Sequence, residues 1–403
     1  MLGLARSGRA AALALARRAV EVVGVDRVEV DVDGFADAGI ETRIGEEDPA
    51  VLDGVQLVVK SPGVPEDTEL VEAAREREIP VWSEIELGSR LLLNPILGVT
   101  GTNGKTTTSE LLGAVFRAAG HEVAVAGNVG RALTELDGQL SPEAWVVCEL
   151  SSFQLEGIDE FHPRIAVLLN LEPDHLDRHG TYEAYRDAKL RAFENQTEDD
   201  TAVVPRGFGE VPGAGIPVEF AADDPLPAEP LLRGAHNREN AAAATAAARA
   251  AGIEDEAIAE ALRTFPGVAH RLEIVGEVRG VRYVNDSKAT NVAAALRALD
   301  AYEDEPVHLI LGGSRKNEDF APLAAAIGHN VKAVYAIGEA ADELVALIPH
   351  AVWAPDLSSA FDLVDADPGD VVLLSPACAS YDQFRDFEHR GEEFRRLVQN
   401  LAE

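Results

Sequence analysis

The chain of 403 residues has no long apolar run and almost no cysteine. No stretch approaches the roughly 18 uninterrupted apolar residues of a membrane span, so we expect no partner membrane. The Ala- and Arg-rich N-terminus has no small-residue cleavage site after an apolar core, which argues against a signal peptide. The two cysteines, Cys148 and Cys378, lie among strand-like residues. They predict buried reduced thiols and a cytoplasmic location.

Positive charge is also scarce, with 35 Lys and Arg against 70 Asp and Glu and a net charge of −35. A field of this sign repels the phosphate backbone of nucleic acids, so no nucleic-acid partner is expected. The acidity indicates adaptation to salt or a bias of the lineage, and it predicts no activity. Hydrophobic residues make up 46% of the chain, as in an ordinary globular protein. The length predicts two to three domains.

The most specific pattern is a glycine-rich turn between the apolar run Ile96–Thr100 and an amphipathic helical segment. The turn and the start of the helix comprise Gly101, Thr102, Asn103, Gly104, Lys105, Thr106 and Thr107. In such a turn the backbone N–H groups face an anion, the lysine neutralises phosphate and the hydroxyl after it can ligate Mg²⁺. Val99 stands where the general pattern has glycine, which leaves an ordinary glycine turn as the alternative. We predict a phosphate site for ATP or a similar nucleotide.

Two further apolar runs lead to candidate metal ligands. The first delivers Glu149 at its end, and the second is followed by residues 172–179, which are crowded with carboxylates and imidazoles. Three interpretations of this loop stay open: a solvated acidic loop, a zinc site from His175 and His179, and a magnesium site. Beyond it, Lys189 lies on an amphipathic helix and, taken alone, is expected to be a solvated surface lysine.

Residues 1–94 alternate β-branched runs with helical patterns and predict a parallel α/β sheet. A glycine turn at residues 3–8 precedes a helix, and Asp26 and Ser61 end later strands, which is the layout of a nucleotide-sugar or dinucleotide site. Ala5 replaces the central glycine of that layout, so a purely structural turn that binds no ligand stays open as the alternative. Met1 and Leu2 are too few to form the preceding strand, and we expect this strand to be missing or to lie upstream.

The last third of the chain predicts a doubly wound α/β domain. Its strand-like runs are Val281–Asn285, His308–Leu311, Val334–Ile337 and Val371–Ser375. Polar sets follow these strands at residues 286–291, 312–316 and 376–382, and they should line one crevice. Upstream, residues 236–240 are expected to cap an Ala-rich helix, with two asparagines on one face.

In this order the segments resemble the Mur ligase family over essentially the whole chain. The matching runs are GTNGKTTT, CELSSFQLE, NLEPDHLDRHG, HNREN, HR at 270–271, NDSKATN, LGG followed by Lys316, and LSPACASYDQF. ELSSFQLE and SPACASYDQF favour the branch that adds D-glutamate to UDP-N-acetylmuramoyl-L-alanine. The resemblance implies an α/β fold of three domains: 1–94, Rossmann-like with a truncated first strand, for the UDP-sugar; 95–268, P-loop ATPase-like, for ATP; and 269–403, Rossmann-like, for the amino acid.

The resemblance also implies a role for each candidate residue. The residues that match ATP contacts are the 101–107 turn with Asn237, Asn240, Arg271 and Asp286. Those that match contacts of the UDP-linked substrate are Arg6, Ser7, Asp26, Ser61 and Asn128. Those around D-glutamate are Lys288, Thr290, Lys316, Ser380 and Phe387. Catalysis is implied for Lys105, Glu149, His175 and Lys189. Two Mg²⁺ sites are implied for Thr106, Glu149, His175 and Lys189, the last carbamylated by CO₂.

The implied reaction is an ATP-dependent amide ligation through an acyl phosphate, carried out by a monomer in peptidoglycan precursor synthesis, with the third domain closing over the second when ATP binds. Two rivals stay open: a folylpolyglutamate synthetase or sibling ligase, and an inactive binder of nucleotides or UDP-sugars. The nucleotide-sugar layout of the N-terminus disfavours the folate enzyme. The joint presence of Lys105, Glu149, His175 and Lys189 disfavours a pure binder.

Overall fold

A computed structural model describes residues 1–315 and 319–402, which divide into two compact units. The first unit comprises residues 1–230 and 236–265, and the second comprises residues 231–235 and 266 onward. The chain enters the second unit briefly at residue 231 and again at residue 266, and the boundary predicted at 268/269 stays a prediction. The further division of the first unit at residue 94 stays a prediction.

The N-terminal part of the first unit is a small parallel sheet with helices packed on it. Its elements are α1 (Arg6–Arg17), β1 (Val23–Asp26), β2 (Glu41–Ile44), the 3₁₀ turn Pro49–Leu52, β3 (Val58–Lys60), α2 (Glu69–Glu76), β4 (Val81–Ser83) and α3 (Glu84–Leu91). β1 pairs with β2, and β3 pairs with β4.

Leu2 lies where the first strand is expected, but only as an isolated bridge residue, so the truncation of that strand stays a prediction. Leu2 forms parallel bridges to Val25 in β1 and to Lys60 in β3, so a single residue joins the two strand pairs. Its N–H donates to the Val59 carbonyl and its own carbonyl accepts from the Ser61 N–H, each over 2.8 Å. The leucine side chain is buried in the core of this sheet. One residue is therefore enough to satisfy both neighbouring strands at this level of the sheet.

The rest of the first unit is built on a second sheet. Its elements are β5 (Ile96–Thr100), α4 (Lys105–Ala118), β6 (Val123–Gly127), the 3₁₀ turn Leu133–Leu136, β7 (Trp145–Glu149), α5 (Ser152–Leu155), β8 (Ile165–Leu168), α6 (Leu176–His179), α7 (Tyr182–Leu190), the 3₁₀ turn Arg191–Phe193, β9 (Thr201–Pro205), β10 (Ile216–Phe220), α8 (Ala235–Ala250) and α9 (Asp255–Thr264). The strand order is β10-β9-β8-β5-β7-β6, with every pairing parallel. The carboxyl ends of β5, β7 and β8 therefore meet at one edge, which brings the predicted phosphate turn, Glu149 and the 172–179 loop together.

Helix α8 corrects the expectation that residues 236–240 cap a helix. The helix begins at Ala235, so Asn237 and Asn240 lie within its first turns, and both side chains are buried. The alanine run that follows has high helix propensity, and residues 235–240 form the first turns of the same helix.

The second unit contains a mixed sheet flanked by helices. Its elements are β11 (Glu273–Val278), β12 (Val281–Asn285), α10 (Val292–Ala301), β13 (Val307–Gly312), α11 (Ala321–Ala326), β14 (Val331–Ile337), α12 (Ala341–Leu347), β15 (Val352–Trp353), α13 (Leu357–Asp362), β16 (Val371–Leu374) and α14 (Phe387–Ala402). The order is β11-β12-β16-β13-β14-β15, and only the β11–β12 pairing of the described strands is antiparallel. The four predicted strands are confirmed. The edge strands β11 and β15 were missed because they lack continuous apolar runs.

Cys148 and Cys378 are both buried, and neither forms a disulfide. Among the described helices, none has both the length and the apolar character needed to cross a membrane.

Candidate active site

The turn between β5 and α4 has the backbone of an anion cradle. Gly101 and Gly104 have φ angles of 147° and 84°, which residues other than glycine rarely adopt. A Cβ at position 104 would lie 2.2 Å from the Oδ1 atom of Asn240, so α8 packs directly against the turn. Lys105 begins α4, and its Nζ donates to the carbonyls of Gly101 and Thr102 over 2.9 and 2.8 Å. The turn thus combines the N-terminus of a helix with a folded-back cation.

The loop after β8 is hydrogen-bonded to this turn. The Asn103 N–H donates to Asn170 Oδ1 over 2.9 Å, and the Asn103 side-chain amide donates to Glu172 over 2.8 Å. The Glu172 N–H donates to the Thr102 hydroxyl oxygen over 3.0 Å, which also accepts from the Tyr185 hydroxyl. These bonds fix the start of the 172–179 loop against the phosphate turn, so this end of the loop is not simply solvated.

Lys189 is the largest departure from what its local sequence predicts. Its side chain is 2% exposed, and its Nζ donates to the Gly101 carbonyl over 2.7 Å and lies 4.8 Å from the centre of the Tyr185 ring. Burial, aided by the charge of Lys105, lowers the pKa of the Lys189 amine to about 7, against the opposing effect of Asp174 and Glu149. The interpretation as a surface lysine is therefore wrong, and a large neutral fraction of the amine is expected near neutral pH.

Glu149 lies at the end of β7 with its carboxylate held by Asn128. The Asn128 side-chain amide donates to Glu149 Oε1 and its N–H donates to the Glu149 carbonyl, each over 2.9 Å. Gly127 has a φ of 111°, and a Cβ there would lie 2.2 Å from the Glu149 carbonyl oxygen. This close approach brings a predicted substrate contact and a predicted metal ligand side by side.

His175 and His179 differ in their surroundings. His175 has a φ of 51° and an exposed ring that lies 4.8 Å from the Phe153 ring centre. His179 contacts the Ser152 hydroxyl over 3.0 Å and Glu156 over 3.3 Å, and burial lowers the pKa of its imidazole. Among the side chains that the structure describes, no three of His, Cys, Asp or Glu converge as a metal site. The side chain of Asp177 lies outside this set, and within the set the zinc interpretation lacks a third ligand of these residue types.

A cavity of about 540 Å³ opens over the N-terminal sheet and includes Asp26 and Ser61 in its lining. Ser61 shares a hydrogen bond of 2.8 Å with the Ser7 hydroxyl, and Asp26 accepts from the Leu4 N–H over 2.7 Å. Arg6 is outside the lining and donates to the Gly130 carbonyl over 3.2 Å. Three of the four predicted N-terminal residues are thus at or beside one cavity.

In the second unit, Asp286 is buried at the end of β12. Its carboxylate accepts from the Ser375 hydroxyl over 2.7 Å and from the Leu272 N–H over 3.2 Å. Burial raises the pKa of Asp286 to about 7, although these hydrogen bonds and the charge of Arg271 act in the other direction.

The predicted D-glutamate residues follow strands of the same sheet. The Lys288 Nζ lies 5.6 Å from the Phe387 ring centre, and the Thr290 N–H donates to the Lys288 carbonyl over 2.9 Å. Ser380 is buried in the loop after β16. Lys316 lies outside the described residues.

Arg390, which the sequence patterns did not single out, is fully buried on α14 and holds three loops of this unit. Its guanidinium donates to the carbonyls of Ser287, Cys378, Ala379 and Gly312 and to the Ser287 hydroxyl over 2.8 to 3.4 Å. Burial lowers the pKa of Arg390 to about 10. The available signal was its spacing from buried Phe394 and Leu397, which places an arginine on the apolar face of the helix.

Comparison with known proteins connects this site to one family. The sequence model of the Mur ligase middle domain matches residues 99–207, and that of the Mur ligase glutamate ligase domain matches residues 270–378. The UDP-N-acetylmuramoylalanine–D-glutamate ligase of Anaeromyxobacter dehalogenans is 44% identical, over 100% of this chain and 97% of that protein. The enzyme of the same name from Acidobacterium capsulatum is 41% identical, over 99% and 95%. The chain belongs to the Mur ligase family.

Solved Mur ligases share its fold. The UDP-N-acetylmuramate-alanine ligase of Thermotoga maritima aligns with a TM-score of 0.62 at 20% identity, over 99% of this chain and 98% of that one. The MurF ligase of the same organism, solved with ADP, gives 0.63 at 17% identity, over 95% and 96%. These similarities confirm the predicted multi-domain α/β architecture of a Mur ligase.

Proposed function

We propose that this chain is an ATP-dependent ligase that adds D-glutamate to UDP-N-acetylmuramoyl-L-alanine, a step of peptidoglycan precursor synthesis. The observation that carries the proposal is the phosphate turn on whose Gly101 carbonyl Lys105 and Lys189 converge, in a chain similar over its whole length to ligases of that name. A folylpolyglutamate synthetase is disfavoured by those relatives, and an inactive binder has no use for a second buried lysine at the turn.

The chemistry follows from the poor reactivity of a carboxylate. An oxygen of the substrate carboxylate attacks the γ-phosphorus of ATP, so that ADP leaves and an acyl phosphate forms. The D-glutamate amine then attacks the acyl carbon, loses a proton and expels inorganic phosphate. Lys105 and the N–H groups at the start of α4 neutralise the charge of the transferring phosphoryl group.

We infer that Mg²⁺ binds beside the turn. This ion keeps several waters and binds through one or two carboxylates together with substrate phosphates, rather than in an all-protein cage. We assign its protein ligands to the hydroxyl of Thr106, the carboxylate of Glu149 and the imidazole of His175. When bound, Mg²⁺ would neutralise phosphate charge during phosphoryl transfer.

Lys189 fits the chemistry of a carbamate. A neutral amine attacks CO₂ and releases a proton, and the product is an anion with two oxygens where a cation stood. The burial of Lys189 and its lowered pKa favour the neutral amine that this reaction needs. We therefore assign Lys189, in its carbamate form, to a second Mg²⁺ site.

The remaining assignments keep the pattern of the family. The N-terminal cavity with Ser7, Asp26 and Ser61 takes the uridine nucleotide, and Asn128 contacts the sugar-linked part of the substrate. The ATP contacts comprise Asn237, Asn240, Arg271 and Asp286. The D-glutamate contacts comprise Lys288, Thr290, Lys316, Ser380 and Phe387. We further propose that the protein is a monomer in the cytoplasm, where ATP is available.

Phosphate release from ATP tests this function. We expect release to require both UDP-N-acetylmuramoyl-L-alanine and D-glutamate, and to be lost in Lys105→Met but kept in the matched surface variant Lys332→Met. Release with another amino acid in place of D-glutamate, or with a pterin substrate, would identify a sibling ligase or the folate enzyme instead. ATP binding without release under every condition would indicate an inactive binder.

A further inference from the structure

Arg178 is a partly buried arginine in the one-turn helix α6. Its guanidinium donates to the carbonyls of Pro62 and Val64 over 2.8 and 3.4 Å. These two carbonyls flank Gly63 in the turn after β3. Ser61, Gly63 and Val64 all line the N-terminal cavity. Arg178 therefore fixes part of the cavity wall from a loop more than a hundred residues away in the chain.

The other contacts of Arg178 face the phosphate turn. Its Nη2 also donates to Glu156 over 2.9 Å, and its guanidinium stacks 4.1 Å from the centre of the Phe153 ring. Phe153 in turn contacts the His175 ring at 4.8 Å. The guanidinium therefore lies one aromatic ring away from the imidazole that we assign to Mg²⁺.

The backbone at His175 needs such support. Its φ of 51° is costly for a residue with a side chain and persists only where the surrounding structure imposes it. The His175 carbonyl accepts from the N–H groups of Arg178 and His179 over 3.1 and 3.0 Å. Anchoring Arg178 thus also anchors the one-turn helix that sets the position of His175.

We propose that Arg178 is a positioning residue that holds the wall of the UDP-binding cavity at a fixed position relative to the phosphoryl-transfer site. The inference rests on the proposed function, because the UDP-linked substrate must then reach from the cavity to the phosphate turn with its carboxylate beside the γ-phosphate. This relative position affects the rate, since displacement of a reacting group by about 1 Å can lower the rate about 100-fold. Arginine suits the task because its planar fork binds two carbonyls, a carboxylate and a ring face together.

The test compares Arg178→Met and Arg178→Lys with Arg186→Met, a matched control on α7 whose side chain is 42% exposed and paired with Asp187. We expect Arg178→Met to raise KM for UDP-N-acetylmuramoyl-L-alanine and to lower kcat, each by at least about tenfold, the factor for one charge-assisted hydrogen bond. KM for ATP should rise less than KM for the UDP-linked substrate, because the phosphate turn keeps its own bonds to Asn170 and Glu172. Arg178→Lys keeps the charge but not the planar fork, so its KM and kcat should lie between those of wild type and Arg178→Met.

A merely structural role would predict a different result. Loss of stability alone lowers the amount of active enzyme, and so the apparent kcat, without moving KM for the UDP-linked substrate. If KM for that substrate is unchanged in both Arg178 variants, the inference is wrong while the ligase function stands. If Arg178→Met does not fold, Arg178→Lys decides the matter by the same split between KM and kcat. An inactive wild-type chain would instead refute the proposed function.

Discussion

The ammonium groups of Lys105 and Lys189 donate to the same carbonyl oxygen, that of Gly101, over 2.9 and 2.7 Å. Burial makes the charged form of Lys189 costly, and repulsion by the Lys105 cation at the same acceptor adds to that cost. The lowered pKa of Lys189 is the result. The same arrangement becomes favourable once Lys189 carries a carbamate, because a cation then faces an anion at the phosphate turn.

The first prediction concerns CO₂. Wild-type protein assayed in CO₂-free buffer should lose most of its phosphate-release activity and recover it when bicarbonate is added. Lys189→Met should be inactive in both conditions, whereas Lys332→Met should behave like wild type. Full activity of wild type after prolonged removal of CO₂ would contradict the carbamate assignment, while leaving the role of Lys105 untouched.

The second prediction concerns the pH dependence of stability. The pKa of Lys189 is about 7 in the folded chain against 10.5 in the unfolded chain. Between these values the unfolded state binds the extra proton, so the free energy of unfolding should rise with pH. Lys189→Met lacks this contribution, so its stability advantage over wild type should shrink from pH 7 to pH 9. Urea titrations in CO₂-free buffer measure this difference, and parallel pH profiles would contradict the shift.

The third prediction concerns Asp286, whose shift has the opposite sign. Its pKa is raised from 3.8 to about 7, so between these values the folded state binds the extra proton. Its contribution to stability should therefore be lost as pH rises from about 4 towards 7. Asp286→Asn should flatten this part of the profile, and Asp300→Asn, at an exposed position in α10, should not. Urea titrations across this range at fixed salt are the measurement.

The fourth prediction concerns Arg390. Arg390→Met should lower the free energy of unfolding by at least about 3 kcal/mol, because several buried carbonyls lose their donor at once. Arg396→Met is the matched control, since Arg396 is exposed on the same helix and paired with Glu393, and it should cost less than about 1 kcal/mol. Urea denaturation compares the two. In whatever fraction of Arg390→Met folds, KM for D-glutamate should rise, because the loop after β16 loses its anchor.

Local patterns predicted the parts of the site that depend on local geometry. A phosphate turn needs its glycines and lysine at fixed spacing, so the Gly101–Thr107 segment was recognisable from the sequence. Lys189 was misjudged from its sequence alone because only tertiary packing buries it, although its spacing from Tyr185 and Ala188 on one helix face was a usable signal.

Long basic side chains were missed for a related reason. Arg178 and Arg390 act by reaching carbonyls that are distant in sequence, and no spacing rule encodes such a partner. Leu2 shows the same limit in the backbone, since its bridges to both neighbouring strands join segments that are distant in sequence. What the sequence could not predict is therefore mainly contact between distant segments.

The last prediction concerns salt. Acidic residues outnumber basic ones by 70 to 35, so one-to-one pairing would leave half of the carboxylates without a basic partner. Salt screens both the ion pairs and the repulsion among the excess carboxylates. Exposed ion pairs contribute only about 0 to 1 kcal/mol each, whereas the repulsion of the excess charge destabilises the compact state. We therefore expect the loss of repulsion to outweigh the loss of ion pairs. Raising KCl from about 0.1 M to about 1 M shortens the screening length from about 10 Å to about 3 Å and should raise the melting temperature. Sucrose at matched osmolality controls for solvent exclusion. A melting temperature that falls with KCl would show that the ion pairs outweigh the excess negative charge.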